Sequence, residues 1–174
     1  YWFHTCTMDL EDQWCHCDNV PLLDDQCFMP DQLISMADGT FKQIVNIKVG
    51  DIIKVWDEKI NEVKDALVNK LHTKLHSDVY ELHLENNKII KPTGNHPFLT
   101  KTSDSMAPAP ITAGPQTIDM SEAKWTTIDG YENNHAGGTG FLKTSDYVYD
   151  IEDGWIKVIN IIPVEGEHLT YNFV

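Results

Sequence analysis

The fold is decided by residues 27–40, which read Cys-Phe-Met-Pro-Asp-Gln-Leu-Ile-Ser-Met-Ala-Asp-Gly-Thr. Residues 33–36 of this stretch have the composition of a strand. The four residues that follow, 37–40, predict a tight turn, because the Asp-Gly pair favours positive φ. A second turn signal, Val-Gly-Asp at residues 49–51, precedes the apolar run 52–56. Short apolar runs separated by such turns predict β-structure for the chain that follows.

The rest of the chain continues the β pattern. Residues 63–75 and 79–84 alternate apolar and polar side chains, as half-buried strands do. Residues 102–117 and 132–140 are rich in small and turn-forming residues and predict surface loops. Evidence for a helix is confined to residues 120–123, which are too few to form a stable one. We therefore expect a domain built almost wholly of strands.

Three blocks in the first half of the chain match three blocks in the second half, in the same order. Lys48–Ile53 resembles Lys143–Val148, Val68–Leu71 resembles Val158–Ile161, and Val79–Leu82 resembles Thr170–Phe173. A repeated order of this kind predicts two related β-subunits that pack as a pseudo-symmetric pair. The alternative is a chance similarity, because the composition of short strands is repetitive.

Composition excludes some classes of partner. The 174 residues include 13 basic residues, all of them lysine, and 27 acidic ones, which gives a net charge of −14. Phosphate recognition depends on Arg forks and basic patches, so we expect no nucleic-acid partner. No apolar run approaches membrane-spanning length, so we expect no membrane partner either. The four cysteines are too few and too clustered for a disulfide-dense scaffold, which leaves the cellular compartment open.

Residues 1–26 differ from the rest and predict an irregular N-terminal extension. They contain six acidic residues, no lysine and three of the four cysteines. One group of thiols and imidazoles in this segment is a candidate for tetrahedral zinc binding: His4, Cys6, Cys15, His16 and Cys17. Because the group lacks a paired C-x-x-C knuckle, a disulfide from Cys6 to Cys15 or Cys17, or free thiols, are the alternatives. We expect no cofactor, with zinc at this group as the alternative.

A Thr-x-x-His box follows the first signature at about the length of a small domain. It reads Pro-Thr-Gly-Asn-His-Pro at residues 92–97. A thiol at Cys27 and an imidazole at His96 are the pair needed to attack a peptide bond of the chain itself, one as nucleophile and the other as proton donor. Taken singly, Cys27 is typical of a small buried hydrophobe, and Thr93 with His96 is typical of an exposed turn. Their combination favours the catalytic interpretation.

These blocks resemble the Hint superfamily, which comprises inteins, bacterial intein-like domains and the autoprocessing domain of Hedgehog proteins. The first splicing block resembles residues 27–55, the Thr-x-x-His block resembles Thr93–His96, and the later Val-Tyr-Asp-Leu block is similar to Tyr171–Val174. The resemblance implies an all-β, horseshoe-like domain of two pseudo-symmetric β-subunits over residues 27–174. This domain would follow the extension of residues 1–26.

The resemblance also implies self-processing. Cys27 would attack the carbonyl of Gln26 and convert the amide to a thioester, which is an N–S acyl shift. His96 would protonate the leaving nitrogen, and Thr93 would hold the strained bond and stabilise the developing charge. The implied outcome is autocleavage or protein splicing in a single turnover, with the flanking polypeptide of the same chain as the partner.

Two departures from the family pattern bear on this interpretation. Full splicing ends with a His-Asn block, and the sequence reaches Val174 without one. Asn172 stands where the Val-Tyr-Asp-Leu block often has Asp or Cys, and an Asn side chain is neither a base nor a nucleophile. A separate C-terminal fragment or a larger host assembly is therefore a further expected partner. The alternative function is a catalytically silent Hint-fold module within a larger structural or assembly protein.

Overall fold

The computed structural model of the protein describes residues 26–57, 60, 62–106, 121–130 and 140–174. These residues form strands joined by turns, two of which are short 3-10 helices at Ile44–Asn46 and Ser103–Ser105. The strands, in chain order, are β1 (Leu33–Ser35), β2 (Phe41–Gln43), β3 (Ile52–Asp57), β4 (Glu62–Leu67), β5 (Leu71–His76), β6 (Val79–Leu84), β7 (Ile89–Ile90), β8 (Phe98–Lys101), β9 (Lys124–Thr126), β10 (Tyr147–Asp150), β11 (Gly154–Val164) and β12 (His168–Phe173). The predicted all-β class is confirmed. In this part of the chain, no helix is long and apolar enough to cross a membrane.

Within the described residues the strands form one six-stranded sheet and three two-stranded ribbons. The sheet has the order β7-β6-β11-β10-β8-β9, and the ribbons pair β1 with β2, β3 with β4, and β5 with β12. All of these pairings are antiparallel. The long strand β11 pairs with β10 through its first part and with β6 through its second, and its register shifts between Val158 and Asn160. A bulge of this kind bends a strand and lets it serve two partners.

The internal repeat predicted from the sequence is confirmed at two turns. In the first, the Asp51 carboxylate accepts the N–H of Lys48 at 2.8 Å, and the Asp51 N–H donates to the Lys48 carbonyl at 3.0 Å. In the second, Asp146 and Lys143 make the same two bonds at 2.8 and 3.1 Å. The first matched block therefore adopts the same local structure in both copies.

The second matched block closes these turns in the same way. The residue before each aspartate has positive φ, 95° at Gly50 and 78° at Ser145. Its N–H donates to a buried valine carbonyl, that of Val68 in the first copy and Val158 in the second, at 2.9 Å in both. Each valine N–H returns a bond to the carbonyl of the turn aspartate, at 2.9 and 2.8 Å. The two valines are therefore structural equivalents, as the sequence match predicts.

The third matched block shows that the two copies exchange strands. β5 of the first copy pairs with β12 of the second, and β6 of the first pairs with β11 of the second. The pair Leu71–Phe173 in the ribbon is therefore equivalent to the pair Ile161–Leu82 in the sheet. Because each copy supplies a strand that completes a pair in the other, neither copy can satisfy its strand edges alone.

The repeat extends beyond the three sequence blocks. The Asp-Gly turn after β1 has a counterpart after β9, where Gly39 and Gly130 have φ values of 84° and 71°. Each glycine donates its N–H to the carbonyl three residues earlier, that of Met36 or Thr127. This equivalence assigns Asp129 to the turn position before the glycine of the second copy.

The main core of the described residues combines side chains from both copies. Its buried members are Phe28, Ile34, Met36, Ile44, Ile47, Ile53, Val55, Val68, Leu82, Leu84, Ile90, Phe98, Leu142, Val148, Ile156, Val158 and Phe173. A smaller aromatic cluster contains Trp56 and Tyr149, with Trp155 packed against it. The main core includes residues directly after Cys27 and directly after the Thr-x-x-His box, so it fixes the positions of both segments.

One predicted strand is in fact two. The alternating stretch 63–75 breaks at residues 68–70, between β4 and β5. The N–H groups of Asn69 and Lys70 donate to the carbonyl of Val174, at the end of β12. The chain therefore leaves one ribbon and joins another at this point. Alternation along the sequence does not report such a change of partner, so the prediction of continuous alternation was wrong here.

Several sequence predictions fall outside the described residues. They concern the extension of residues 1–25 and most of the predicted loops 102–117 and 132–140. Residues 121–122, within the short helix signal, form a turn. The pseudo-symmetric pair of β-subunits, in contrast, is fully visible in the strand pairing.

Candidate active site

Cys27 is held at its backbone by Thr93 through two hydrogen bonds. The Cys27 N–H donates to Oγ1 of Thr93 at 3.0 Å, and the Cys27 carbonyl accepts the Thr93 N–H at 2.9 Å. Both residues are 0% exposed, and Gln26 is also buried. The first N–H belongs to the Gln26–Cys27 peptide. Thr93 therefore contacts the peptide bond that the sequence analysis identifies as scissile, and it does so out of contact with solvent.

The segment after Cys27 forms backbone hydrogen bonds with two other segments of the chain. Phe28 and Tyr171 exchange backbone hydrogen bonds at 2.9 and 2.8 Å. The Met29 N–H donates to the Lys91 carbonyl at 2.9 Å. Cys27 is therefore placed between the segment that leads into the Thr-x-x-His box and strand β12, which belongs to the other copy of the repeat.

His96 packs against the same segment. Its ring centroid lies 4.2 Å from that of Phe28 and 5.4 Å from that of Phe98, and the residue is only 3% exposed. Because Phe28 directly follows Cys27, the fold brings the box histidine against the segment that carries the thiol. Aromatic rings on two sides restrict the orientation of the imidazole and exclude water from its surroundings.

The turn that carries Thr93 and His96 is fixed from within and from outside. Within the turn, the His96 N–H donates to the Thr93 carbonyl at 3.1 Å, and Oγ1 of Thr93 donates to Oδ1 of Asn95 at 2.8 Å. From outside, the Gly94 N–H donates to the carbonyl of Asp78 at 2.8 Å. The position of the Thr93 hydroxyl therefore depends on the conformation of the whole turn.

Asp129 supports this turn from the second copy of the repeat. Its N–H donates to the Gly94 carbonyl at 3.0 Å, and its Oδ1 accepts a bond from Oγ1 of Thr127 at 3.0 Å. Space at the contact is limited, because a Cβ on Gly94 would lie 3.0 Å from Cε2 of Tyr80. A glycine at this position therefore allows the close approach of the neighbouring strand and turn.

Asn172 lies in β12, next to Tyr171. Phe28 and Tyr171 form an antiparallel pair, so the residue before Phe28, Cys27, comes opposite the residue after Tyr171, Asn172. The Asn172 side chain is half-buried, and its Oδ1 accepts the N–H of Phe173 at 2.8 Å. The structure thus assembles every residue of the predicted catalytic set in one region of the fold.

The zinc candidate of the sequence analysis has no counterpart in the part of the chain that the structure describes. Its members, His4, Cys6, Cys15, His16 and Cys17, lie outside the described residues. Among the described residues, no group of three or more His, Cys, Asp or Glu side chains could hold a metal ion.

Several solved structures of inteins and of an intein-like domain have a similar architecture. The DnaB intein from Synechocystis sp. PCC 6803 matches with a TM-score of 0.58 at 20% identity, over 86% of each chain. The bacterial intein-like domain from Clostridium thermocellum matches with a TM-score of 0.58 at 20% identity, over 84% of each chain. The TvoVMA intein matches with a TM-score of 0.58 at 10% identity, over 86% of each chain. The chain has the Hint fold of inteins.

This fold is recognised through its geometry. No family model matches the sequence, and no curated protein matches it. The TM-scores of 0.58 at 10–20% identity show that the likeness lies in the arrangement of the chain in space. The resemblance inferred from the short blocks is therefore confirmed at the level of fold.

Two residues of this Hint-fold site were not singled out by the sequence analysis. Asn95 lies inside the box, and its bond from Thr93 spans two residues, a spacing that favours local side-chain hydrogen bonds. Asp129 precedes the glycine of the second Asp-Gly turn. The sequence indicates a role for it only once this turn is matched to the Asp-Gly turn after β1. Both residues contact the turn that carries Thr93 and His96.

Proposed function

We propose that residues 27–174 are a self-processing domain that acts on the peptide bond between Gln26 and Cys27. The observation that carries this proposal is the hydrogen bond from the nitrogen of that peptide bond to Oγ1 of Thr93. A buried polar contact to the scissile nitrogen, next to a thiol on one side and an imidazole-bearing turn on the other, is suited to peptide-bond rearrangement. The substrate is the chain's own flanking polypeptide, residues 1–26.

The first step is an N–S acyl shift. The Cys27 sulfur adds to the carbonyl carbon of Gln26 through a small ring that includes Cβ, Cα and the nitrogen of the cysteine. A C–S bond then replaces the C–N bond. The proton lost from the thiol is balanced by the proton gained at the nitrogen, which becomes the α-amine of Cys27. No oxidant, reductant or cofactor enters this balance.

Three side chains have proposed roles in this step. His96 is the general acid that protonates the nitrogen as it leaves, because its ring is held against the residue after the thiol. Thr93 holds the N–H of the same nitrogen throughout. Asn172 lies opposite Cys27 and is a neutral hydrogen-bonding group beside the thioester, since an amide does not exchange a proton at ordinary pH.

The thioester is less stable than the amide, so it accumulates only when a later step removes it. An added thiol or hydroxylamine supplies that step by attacking the acyl carbon and releasing residues 1–26. In the protein's own chemistry, water or a nucleophile from the flanking polypeptide or from a partner fragment fills this role. The domain acts once on its own chain and is a single-turnover catalyst.

Intact-mass spectrometry with dithiothreitol or hydroxylamine tests the proposal. The expected result is release of a peptide of residues 1–26 and a matching loss of mass from the remaining chain. Cys27→Ala should abolish release, whereas Cys17→Ala, the matched control in the extension, should leave the rate unchanged. His96→Ala should slow release by about 10²- to 10⁴-fold, the usual contribution of a general acid.

The competing function is a catalytically silent Hint-fold module within a larger structural or assembly protein. One observation favours it: the side chain opposite Cys27 is that of Asn172, which offers neither a base nor a thiol and accepts the Phe173 N–H through its Oδ1. A wild-type chain that is fully folded, yet keeps its intact mass through long incubation with hydroxylamine, would establish this alternative and exclude the self-processing proposal.

A further inference from the structure

We propose that Asn95 is a positioning residue that sets the direction of the Thr93 hydroxyl and, through it, the geometry of the scissile nitrogen. This inference rests on the proposed function of the same site. It starts from two hydrogen bonds that share one atom, Oγ1 of Thr93. That oxygen accepts the Cys27 N–H at 3.0 Å and donates to Oδ1 of Asn95 at 2.8 Å.

A threonine hydroxyl has one hydrogen and two lone pairs, and it rotates to suit its surroundings. The backbone N–H of Cys27 can only donate, so the hydroxyl must present a lone pair to it. The Asn95 oxygen can only accept, so it takes up the single hydrogen of the hydroxyl. The two partners together leave one orientation that satisfies both bonds. Removing Asn95 takes away the acceptor toward which the hydroxyl hydrogen points.

This orientation matters to the reaction because the geometry of the nitrogen changes as the peptide bond breaks. The nitrogen is planar in the amide and becomes pyramidal as it leaves, with a lone pair that must receive a proton. Holding the N–H toward Thr93 forces that lone pair to develop on a different side. The second bond, from the Thr93 N–H to the Cys27 carbonyl, prevents the residue from rotating as a whole.

Asn95 is itself well placed for this task. The neighbouring Gly94 is anchored through its N–H to the Asp78 carbonyl and through its carbonyl to the Asp129 N–H. The Asp78 carbonyl belongs to the first copy of the repeat, and the Asp129 N–H belongs to the second. The amide oxygen of Asn95 is therefore carried on a turn that cannot easily move away from Thr93.

Cleavage rates in three variants test the inference. Asn95→Leu keeps the shape of the side chain and removes the acceptor, and it should slow thiol-induced cleavage by about five- to tenfold, the effect of one net hydrogen bond. Asn95→Asp keeps an acceptor oxygen and should restore most of the rate. Asn46→Leu, at an exposed asparagine distant in sequence, is the matched control and should cleave at the wild-type rate.

A double-variant cycle separates positioning from general damage to the fold. If Asn95 acts through Thr93, then Thr93→Val with Asn95→Leu should cleave no more slowly than Thr93→Val alone. Rate losses that multiply in the double variant would overturn the inference, as would wild-type rates in Asn95→Leu. Circular dichroism of each variant establishes that it is folded before its rate is used.

Amide hydrogen exchange gives a second measurement that does not need cleavage. In a Cys27→Ala background, Asn95→Leu should speed exchange of the residue 27 amide by about five- to tenfold and leave the Phe28 amide unchanged. Equal exchange at residue 27 with and without Asn95 would refute the inference even in a chain that never cleaves. Absence of cleavage in the wild type, together with the expected exchange, would instead refute only the proposed function.

Discussion

Replacing Gly94 by alanine tests how tightly the candidate site is packed. A Cβ at this position would lie 3.0 Å from Cε2 of Tyr80 and 3.5 Å from Cβ of Asp129. The first contact is about 0.5 Å shorter than the usual carbon–carbon minimum of about 3.5 Å, so the ring or the turn must move. Overpacking of this kind costs about 1–3 kcal/mol. Because the Tyr80 ring is only half-buried and can yield, we expect a loss near 1 kcal/mol.

The same shift should affect cleavage. Gly94 is part of the turn that carries Thr93, so a displacement of a few tenths of an ångström loosens the hydrogen bond to the Cys27 nitrogen. Misplacement by about 1 Å can cost about 10²-fold in rate. A smaller shift in Gly94→Ala should therefore slow thiol-induced cleavage by about tenfold. The measurements are urea unfolding for stability and intact-mass kinetics for cleavage.

Two further variants make this prediction refutable. Tyr80→Leu removes the ring that the new methyl group would meet, so adding it to Gly94→Ala should recover part of the lost stability and rate. Gly140→Ala is the matched control, because among the described residues its Cβ would meet only Cγ2 of Thr126, at an ordinary 3.5 Å. A Gly94→Ala chain that is as stable and as fast as Gly140→Ala would show that the contact with Tyr80 does not constrain the turn.

Two predictions concern the scaffold. The hydrogen bond from Lys42 holds the pKa of Asp51 below its ordinary value. The ionised Asp51 therefore stabilises the folded state at pH values above its unfolded-state pKa of about 4. This contribution to the free energy of unfolding is lost as the pH falls through the lower folded-state pKa. Lys42→Met should therefore cost up to about 1 kcal/mol of unfolding free energy at pH 7 and less at pH 2, and an equal cost at both pH values would contradict the ion-pair assignment. Val68→Ala and Val158→Ala, at equivalent buried positions, should each lower the free energy of unfolding by about 2 kcal/mol in chemical denaturation. The control Val49→Ala, at an exposed position, should change it by no more than about 0.5 kcal/mol. Clearly unequal losses at Val68 and Val158 would argue against their equivalence.

The parts of the fold that depend on local chemistry could be predicted from the sequence. The Asp-Gly turn at residues 38–39 forms as expected, with Gly39 at positive φ and the Asp38 carboxylate accepting the Thr40 N–H. The repeat was also predictable, because the turns at residues 48–51 and 143–146 both end in an aspartate whose carboxylate accepts the N–H three residues earlier. These features are fixed by interactions between residues close in sequence.

The remaining features depend on pairing between distant residues. The break at residues 68–70 arises because the chain changes partner and joins the end of β12. The contact between Cys27 and Thr93 spans 66 residues. The sequence could name both residues as candidates, but the direction of the Thr93 hydroxyl depends on Asn95, whose role becomes visible only once the turn is built.

The strand exchange explains why the site needs both copies of the repeat. Phe28 bridges to Pro92 on one side and to Tyr171 on the other, and Tyr171 in turn pairs with Thr73 of β5. The segment that carries Cys27 therefore lies between residue 92 of the first copy and strand β12 of the second. Strand β12 is itself paired with β5 of the first copy. A single copy would leave one side of this segment without a hydrogen-bonding partner. The duplicated scaffold thus positions one peptide bond that neither half could constrain alone.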